Sequence, residues 1–250
     1  MLKRSVGFSV RCKHMKIKLT TIVSSILASM ILFGSSALAQ GIYTSGTVGV
    51  DISWPNCIAK VSTSSKFGVV GVTDGLGYST NPCLTREASH FTNLSLYVNT
   101  GWNSSSPHVN STSPRVCVTG DNNCLAYNYG YNAGLYAYSA ASSAGVHSSS
   151  WWLDIETSNT WSTNALQNQN SLKGEYDALI AKGATTVGAY STTAQWDTIT
   201  GSWLNSWPSW GATTWKTASQ AKTYCIGHQF TGGATWLIQF KGQLDQDYAC

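Results

Sequence analysis

The sequence predicts a closed parallel α/β barrel, and three observations carry that reading. Short β-rich segments recur along the chain, one of them (residues 67–73) almost continuously apolar, as suits a parallel strand buried on both faces. Helical patterns fall between these segments, and strands alternating with helices are the mark of βαβ units. About eight such strands fit within the roughly 210 residues that follow a leader-like start, which favours a compact barrel over an open sheet.

In chain order, strands are expected over residues 48–54, 67–73, 94–99, 151–157 and 185–191, then 209–214 and 236–240, with a weaker one near 227–231. A helix is expected over 164–182, with Leu172, Tyr176, Leu179 and Ile180 on one face and Gly183 as its stop. A second, Tyr- and Ala-rich, runs over 124–144 and ends before Gly145; its Tyr127, Tyr131 and Tyr138 read as core packing. Residues 102–123 form the main irregular insert, rich in Ser, Asn and Pro.

Residues 1–39 read as a secretory signal peptide. Lys3, Arg4, Arg11, Lys13, Lys16 and Lys18 give a basic start, with Met15 as an alternative initiator, and an apolar run follows over 22–34. Ala37-Leu38-Ala39 is a small-x-small cleavage pattern, so cleavage is expected near Ala39-Gln40. The apolar run is short for a membrane span of ~20 residues, which argues against a retained anchor. The expected product is one secreted domain, residues 40–250, taken to be monomeric. It carries nine basic residues against eleven acidic ones, so the basic footprint of a nucleic-acid binder is absent. Its surface is rich in Ser, Thr, Asn and Gly, as suits neutral, hydroxyl-rich ligands.

With Cys12 in the leader, six cysteines remain, an even number in an exported chain, which implies disulfides. Sequence neighbours are the expected partners: Cys57 with Cys83, Cys117 with Cys124, and Cys225 with Cys250. Zinc is the rival use. No Cys-x-x-Cys is present, and His90, His108, His147 and His228 lack ligand spacing, so no metal is expected.

Asp154 and Glu156 stand at i and i+2 in a predicted strand, so they share a face, with Ile155 in the opposite layer. Their Cβ atoms would lie roughly 7 Å apart. They close the strand at its C-terminal end, where parallel barrels carry their chemistry. Two carboxyl groups there are what glycosidic cleavage needs: one donates a proton to the leaving oxygen, and the other stabilises positive charge or holds a nucleophile. An isolated Asp-x-Glu is common, and context adds weight. Asp51, Asp74 and Asp245 also stand at predicted strand ends, so five of eleven acidic residues would converge on one mouth. Trp54, Tyr97, Tyr190 and Trp210 lie near the same ends and are candidates for stacking on sugar rings. Gly75-x-Gly77 lacks the glycines and lysine of a phosphate loop, and no Gly-x-Ser-x-Gly elbow occurs.

At these residues the chain resembles glycoside hydrolase family 25, the lysozyme-like muramidases, and within it a secreted, cysteine-containing branch often called glycoside-hydrolase-like. Gly49-Val50-Asp51-Ile52-Ser53 resembles the family's first-strand motif, and Asp154-Ile155-Glu156 its Asp-x-Glu, whose Glu is the proton donor. Gly188-Ala189-Tyr190-Ser191-Thr192 is similar to its fifth-strand motif with a substrate-lining Tyr. Ile238-Gln239-Phe240 and Leu244-Asp245-Gln246-Asp247 look like its last strand and terminal acidic segment. The resemblance implies a TIM-type (β/α) barrel with irregular late strands. It also implies hydrolysis of the bond between N-acetylmuramic acid and N-acetylglucosamine in peptidoglycan, without a cofactor. The departures fall at Asp74, where Glu usually precedes the Gly; at Asn99, where His is common; before Gln239, which lacks the usual Trp; and in the insert after Trp102.

The expected function is thus a secreted cell-wall glycosidase with Glu156, Asp154, Asp51 and Asp245 as its acidic centre and Asp74, Tyr97, Tyr190, Trp210 and Gln239 as substrate contacts. Glu156 would be the general acid. Asp154 would stay ionised and orient the sugar's acetamido group, and net retention is expected. The alternatives are a non-catalytic glycan-binding protein on the same scaffold, and a disulfide-stapled structural protein of the cell surface.

Overall fold

The computed structural model describes residues 43–250; the expected signal peptide and cleavage site, Met15 and Cys12 lie outside the described residues. Eight strands close into a barrel in chain order. They are β1 (Val48–Ile52), β2 (Gly68–Gly71), β3 (Leu94–Asn99), β4 (Ser150–Asp154), β5 (Thr186–Ser191), β6 (Ser209–Ala212), β7 (Thr235–Phe240) and β8 (Gln246–Ala249). From β1 to β7 neighbouring strands pair in parallel, whereas β8 pairs antiparallel with both β7 and β1. The barrel is therefore α/β with irregular late strands.

The helices are α1 (Leu84–Ala88), α2 (Asn122–Ser143), α3 (Ala165–Ala181), α4 (Thr193–Thr200) and α5 (Ala218–Thr223). Asp121 caps α2 by accepting from Cys124 N, and Asn164 caps α3 by accepting from Leu166 N. Gly145 and Gly183 follow the two long helices at φ 70° and 97°, a left-handed turn that favours glycine and ends each helix. The expectation of a strand near 227–231 is corrected: no strand forms there, and the eighth staves the barrel at Gln246–Ala249 instead. The polar sequence Gln-Asp-Tyr-Ala hides this strand, because its inward Asp replaces the apolar residue a strand pattern requires.

Alternation along the strands separates two layers. Trp151, Leu153 and Ile155 face the helices, packing with Val70, Leu96, Leu172 and Leu179. Trp152 faces inward and joins Tyr43, Phe67, Trp210 and Leu237 in an aromatic plug that fills the barrel. The plug needs Gly188 on β5, since a Cβ there would lie 2.3 Å from the Trp152 ring. Outside, α2 and α3 cross with their backbones in contact: a Cβ on Gly130 would lie 1.8 Å from Ser171 O, and one on Gly174 2.1 Å from Tyr127 O.

Disulfides join Cys57 to Cys83, Cys117 to Cys124 and Cys225 to Cys250. The second staples the insert after β3 to the start of α2. Among the described residues no helix is long and apolar enough to cross a membrane.

Candidate active site

Above the aromatic plug, at the C-terminal ends of the parallel strands, lies a cavity of about 300 Å³. Its wall includes Asp51, Asp154, Glu156 and Asp245, together with Tyr97, Tyr190, Trp210 and Gln239. Ser53, Asn56 and Gln243 complete its polar rim. No Lys or Arg lines it.

Register explains the convergence. Asn99, Asp154, Tyr190 and Trp210 are successive partners across β3 to β6, so they form one inward layer at the mouth. Asp154 is 5 % exposed. Its Oδ2 accepts from Asn99 Nδ2, whose own Oδ1 accepts from Thr73 Oγ1 at 2.6 Å. The Asp154 carbonyl accepts from Thr100 Oγ1 at 2.6 Å, fixing the strand end. Asp154 Oδ1 is buried and has no hydrogen-bond partner. β4 stops at Asp154, so Glu156 stands on the following loop and is partly exposed.

A second network crosses the opposite wall. Tyr190 OH donates to Gln239 Oε1 at 2.9 Å, and Gln239 Nε2 donates to Asp51 Oδ2 at 3.0 Å. Trp210 Nε1 donates to Asp247 Oδ1 at 2.7 Å. Trp210 is thus anchored in the plug, with only an edge in the cavity. The Tyr97 ring rests against Gly71, where a Cβ would come within 2.7 Å of it.

Burial dominates the electrostatics. It pushes the Asp51 carboxyl up to about 7, with the nearby Asp245 charge adding to the rise and the Gln239 hydrogen bond opposing it. Burial also raises Asp154, reinforced by the charge of Glu156 and opposed by Asn99. It raises Asp247 likewise, helped by Asp51. Burial of Asp154 thus works against the ionised form that the sequence suggests.

Of the nine residues expected at the site, eight line this cavity. Asp74 does not: β2 ends at Gly71, and the exposed Asp74 sits in a turn off the cavity wall, its backbone N–H donating to Ser79 Oγ. Trp54 is 47 % exposed beside Asn56. Sequence reasoning named Asn99 only as a departure from the family motif and Asp247 only within its terminal acidic segment, and gave neither a role at the site. Asn99 could have been found as the strand-end partner of Asp154. Asp247 stands at i+2 from Asp245, the same spacing that singled out Asp154 and Glu156, and only the unrecognised β8 concealed it.

Residues 118–236 match the family described as Lysozyme-like protein 1. No curated protein matches the chain. Among solved structures, the bacterial lysozyme from Streptomyces coelicolor is 17% identical with a TM-score of 0.54, over 83% of this chain and 93% of that one. GHIP, a glycosyl hydrolase 25 of Streptococcus pneumoniae, is 15% identical with a TM-score of 0.53, over 82% and 87%. A muramidase from Acremonium alcalophilum is 16% identical with a TM-score of 0.51, over 82% and 93%. In sequence the chain thus resembles lysozyme-like protein 1 across residues 118–236, and its fold is that of the glycosyl hydrolase 25 structures.

Proposed function

We propose that this protein is a secreted glycosidase that cleaves the glycan strands of peptidoglycan between N-acetylmuramic acid and N-acetylglucosamine, as a muramidase does. One observation carries the proposal: four carboxyl groups line a cavity that holds no basic side chain. Such a wall stabilises the positive charge of an oxocarbenium-like transition state. It also keeps protons, because carboxylates crowded together and desolvated cannot all ionise. The site therefore offers both the acid and the electrostatic partner that the reaction needs.

Position divides the roles. Glu156, on the loop beyond the strand and open to the cleft, reaches the glycosidic oxygen and donates the proton. Asp154 lies too deep for that contact. Its unpaired Oδ1 accepts the N–H of an acetamido group, and this hydrogen bond favours the ionised form at the moment substrate binds. The acetamido oxygen, so oriented, is placed to attack the anomeric carbon, and water completes the reaction with net retention. Asp51 and Asp245 add negative charge, and Tyr190, held by Gln239, and Tyr97 border the sugar. Export follows from the basic and apolar start of the chain and is supported by the three disulfides.

The test is release of reducing ends from purified peptidoglycan by residues 40–250, beside Glu156→Gln. The wild type releases them and the variant loses at least a hundredfold, in the range of ~10²–10⁴ for a lost general acid. If neither releases sugar while both stay folded and pellet with the wall, the protein is a glycan-binding module. Anomer analysis showing inversion would overturn the retaining route alone.

A further inference from the structure

The floor of the cleft pairs Asp51 with a second acid, Asp247, that the reaction above does not use. β1 and β8 run antiparallel with Gly49 opposite Asp247, and Asp51 N donates to Asp245 O at 3.1 Å. Residues two apart share a face, so Asp51, Asp245 and Asp247 all point into the barrel, and the place a side chain on Gly49 would take, opposite Asp247, is filled by the Phe67 ring. Asp51 and Asp247 are diagonal neighbours across the ladder, close enough for the charge of Asp51 to raise the Asp247 carboxyl.

The surrounding donors are already used. Trp210 Nε1 donates to Asp247 Oδ1, Gln239 Nε2 to Asp51 Oδ2, and Tyr190 OH to Gln239. Asp247 Oδ2 is buried without a partner, in a residue that is 0 % exposed. Asp245 across the ladder, Asp154 on β4, Tyr43 in the plug and Tyr97 and Tyr190 on the walls also face the pair, and none of them is a cation. A buried carboxylate oxygen against a second carboxylate needs a proton between them.

We propose that Asp51 and Asp247 hold one proton between them, on Asp247 Oδ2, so that Asp247 is a positioning residue which donates to Asp51 and locks the row Trp210–Asp247–Asp51–Gln239–Tyr190 across the cleft floor. The proton belongs on Asp247 because Asp51 reaches the cavity and Asp247 does not. Burial raises both carboxyls, which agrees with a pair that titrates as a unit. The link from this pair to activity rests on the glycosidase reading; its protonation does not.

The first measurement is therefore made on the wild type: carbon-13 NMR of the aspartate carboxyls across pH. Asp247 is expected at its protonated shift at about pH 6, well above the ordinary ~3.9; an ionised Asp247 there overturns the proposal. In Asp247→Asn the amide oxygen still accepts from Trp210 and the N–H₂ still donates to Asp51, so Asp51 titrates alone, lower by about one unit or more. Asp247→Leu strands both partners and lowers the melting temperature at every pH, whereas Asp247→Asn restores most of it. An Asn variant as destabilised as the Leu variant, or an unchanged Asp51 titration, refutes the shared proton. The alkaline limb of glycan release moves to higher pH in Asp247→Asn. A wild type that folds, shows the paired titration and releases nothing sinks the glycosidase reading and leaves the pair standing.

Discussion

Gly130→Ala sets two principles against each other. In a helix interior, Ala is favoured over Gly by about 1 kcal/mol, so propensity alone makes this a stabilising change. Here the new Cβ would sit 1.8 Å from Ser171 O and 2.6 Å from its carbonyl carbon, both backbone atoms of α3. An ordinary contact needs more than 3.4 Å, so α2 and α3 must part by over 1 Å along a crossing where Gly174 is equally tight against Tyr127 O. No side chain can swing aside to absorb this. Overpacking costs about 1–3 kcal/mol in side-chain cores, and rigid backbone on both sides puts the cost at the upper end. The net loss is then about 2 kcal/mol, or roughly 4–8 °C in melting temperature for a domain of this size. Ser139→Ala, at an exposed position on the same helix, is the control and gains a few tenths of a kcal/mol. Unfolding followed by circular dichroism under non-reducing conditions gives both numbers. A Gly130→Ala protein as stable as wild type, or more so, would refute the argument that the two helices touch through their backbones.

Three further outcomes are expected. Because burial raises the folded-state pKa of Asp51 to about 7, folding binds a proton between the unfolded and folded values. Its stabilising contribution is complete below about pH 4 and is lost as pH rises towards 7, so the melting temperature falls across that window; a rise there contradicts the assignment. Replacing Cys225 and Cys250 together by Ser frees a loop of 25 residues' separation and costs about 3.5 kcal/mol on the chain-entropy estimate, read by denaturant unfolding. Asp74→Asn leaves glycan release within about twofold of wild type, because Asp74 is exposed and off the cavity wall; a loss approaching that of Glu156→Gln would return it to the site.

Much of the barrel can be read from the sequence because its parallel strands are apolar on both faces, as in 67–73, and its long helices carry clear stops at Gly145 and Gly183. What stays hidden has one physical cause. Where the barrel turns polar inside, periodicity inverts: β8 presents Asp247 inward, so the hydrophobic alternation that marks a strand is missing where the chemistry lies. Asp154 and Glu156 escape this only because Trp151, Leu153 and Ile155 keep the outer face of β4 apolar. The role of Asn99 is hidden for another reason. Its importance comes from standing opposite Asp154 across a parallel ladder, a relation that no local pattern contains. The depth of Asp154 is likewise a property of the closed ring, which no local pattern shows. The insert after β3 shows only as composition in the sequence, whereas its anchorage to α2 through Cys117–Cys124 is a matter of spacing.

The plug of Phe67, Trp152 and Trp210 makes the cleft a blind alley. A polymer cannot thread it; it can only drape across the rim, with both of its ends free in solvent. Nothing in such a saddle measures distance from a chain terminus, so every repeat along a long strand is equally open to scission. A catalyst of this shape shortens a mesh by random cuts. The viscosity of a suspended wall would then collapse well before small fragments accumulate, whereas a pocket that gripped chain ends would reverse that order.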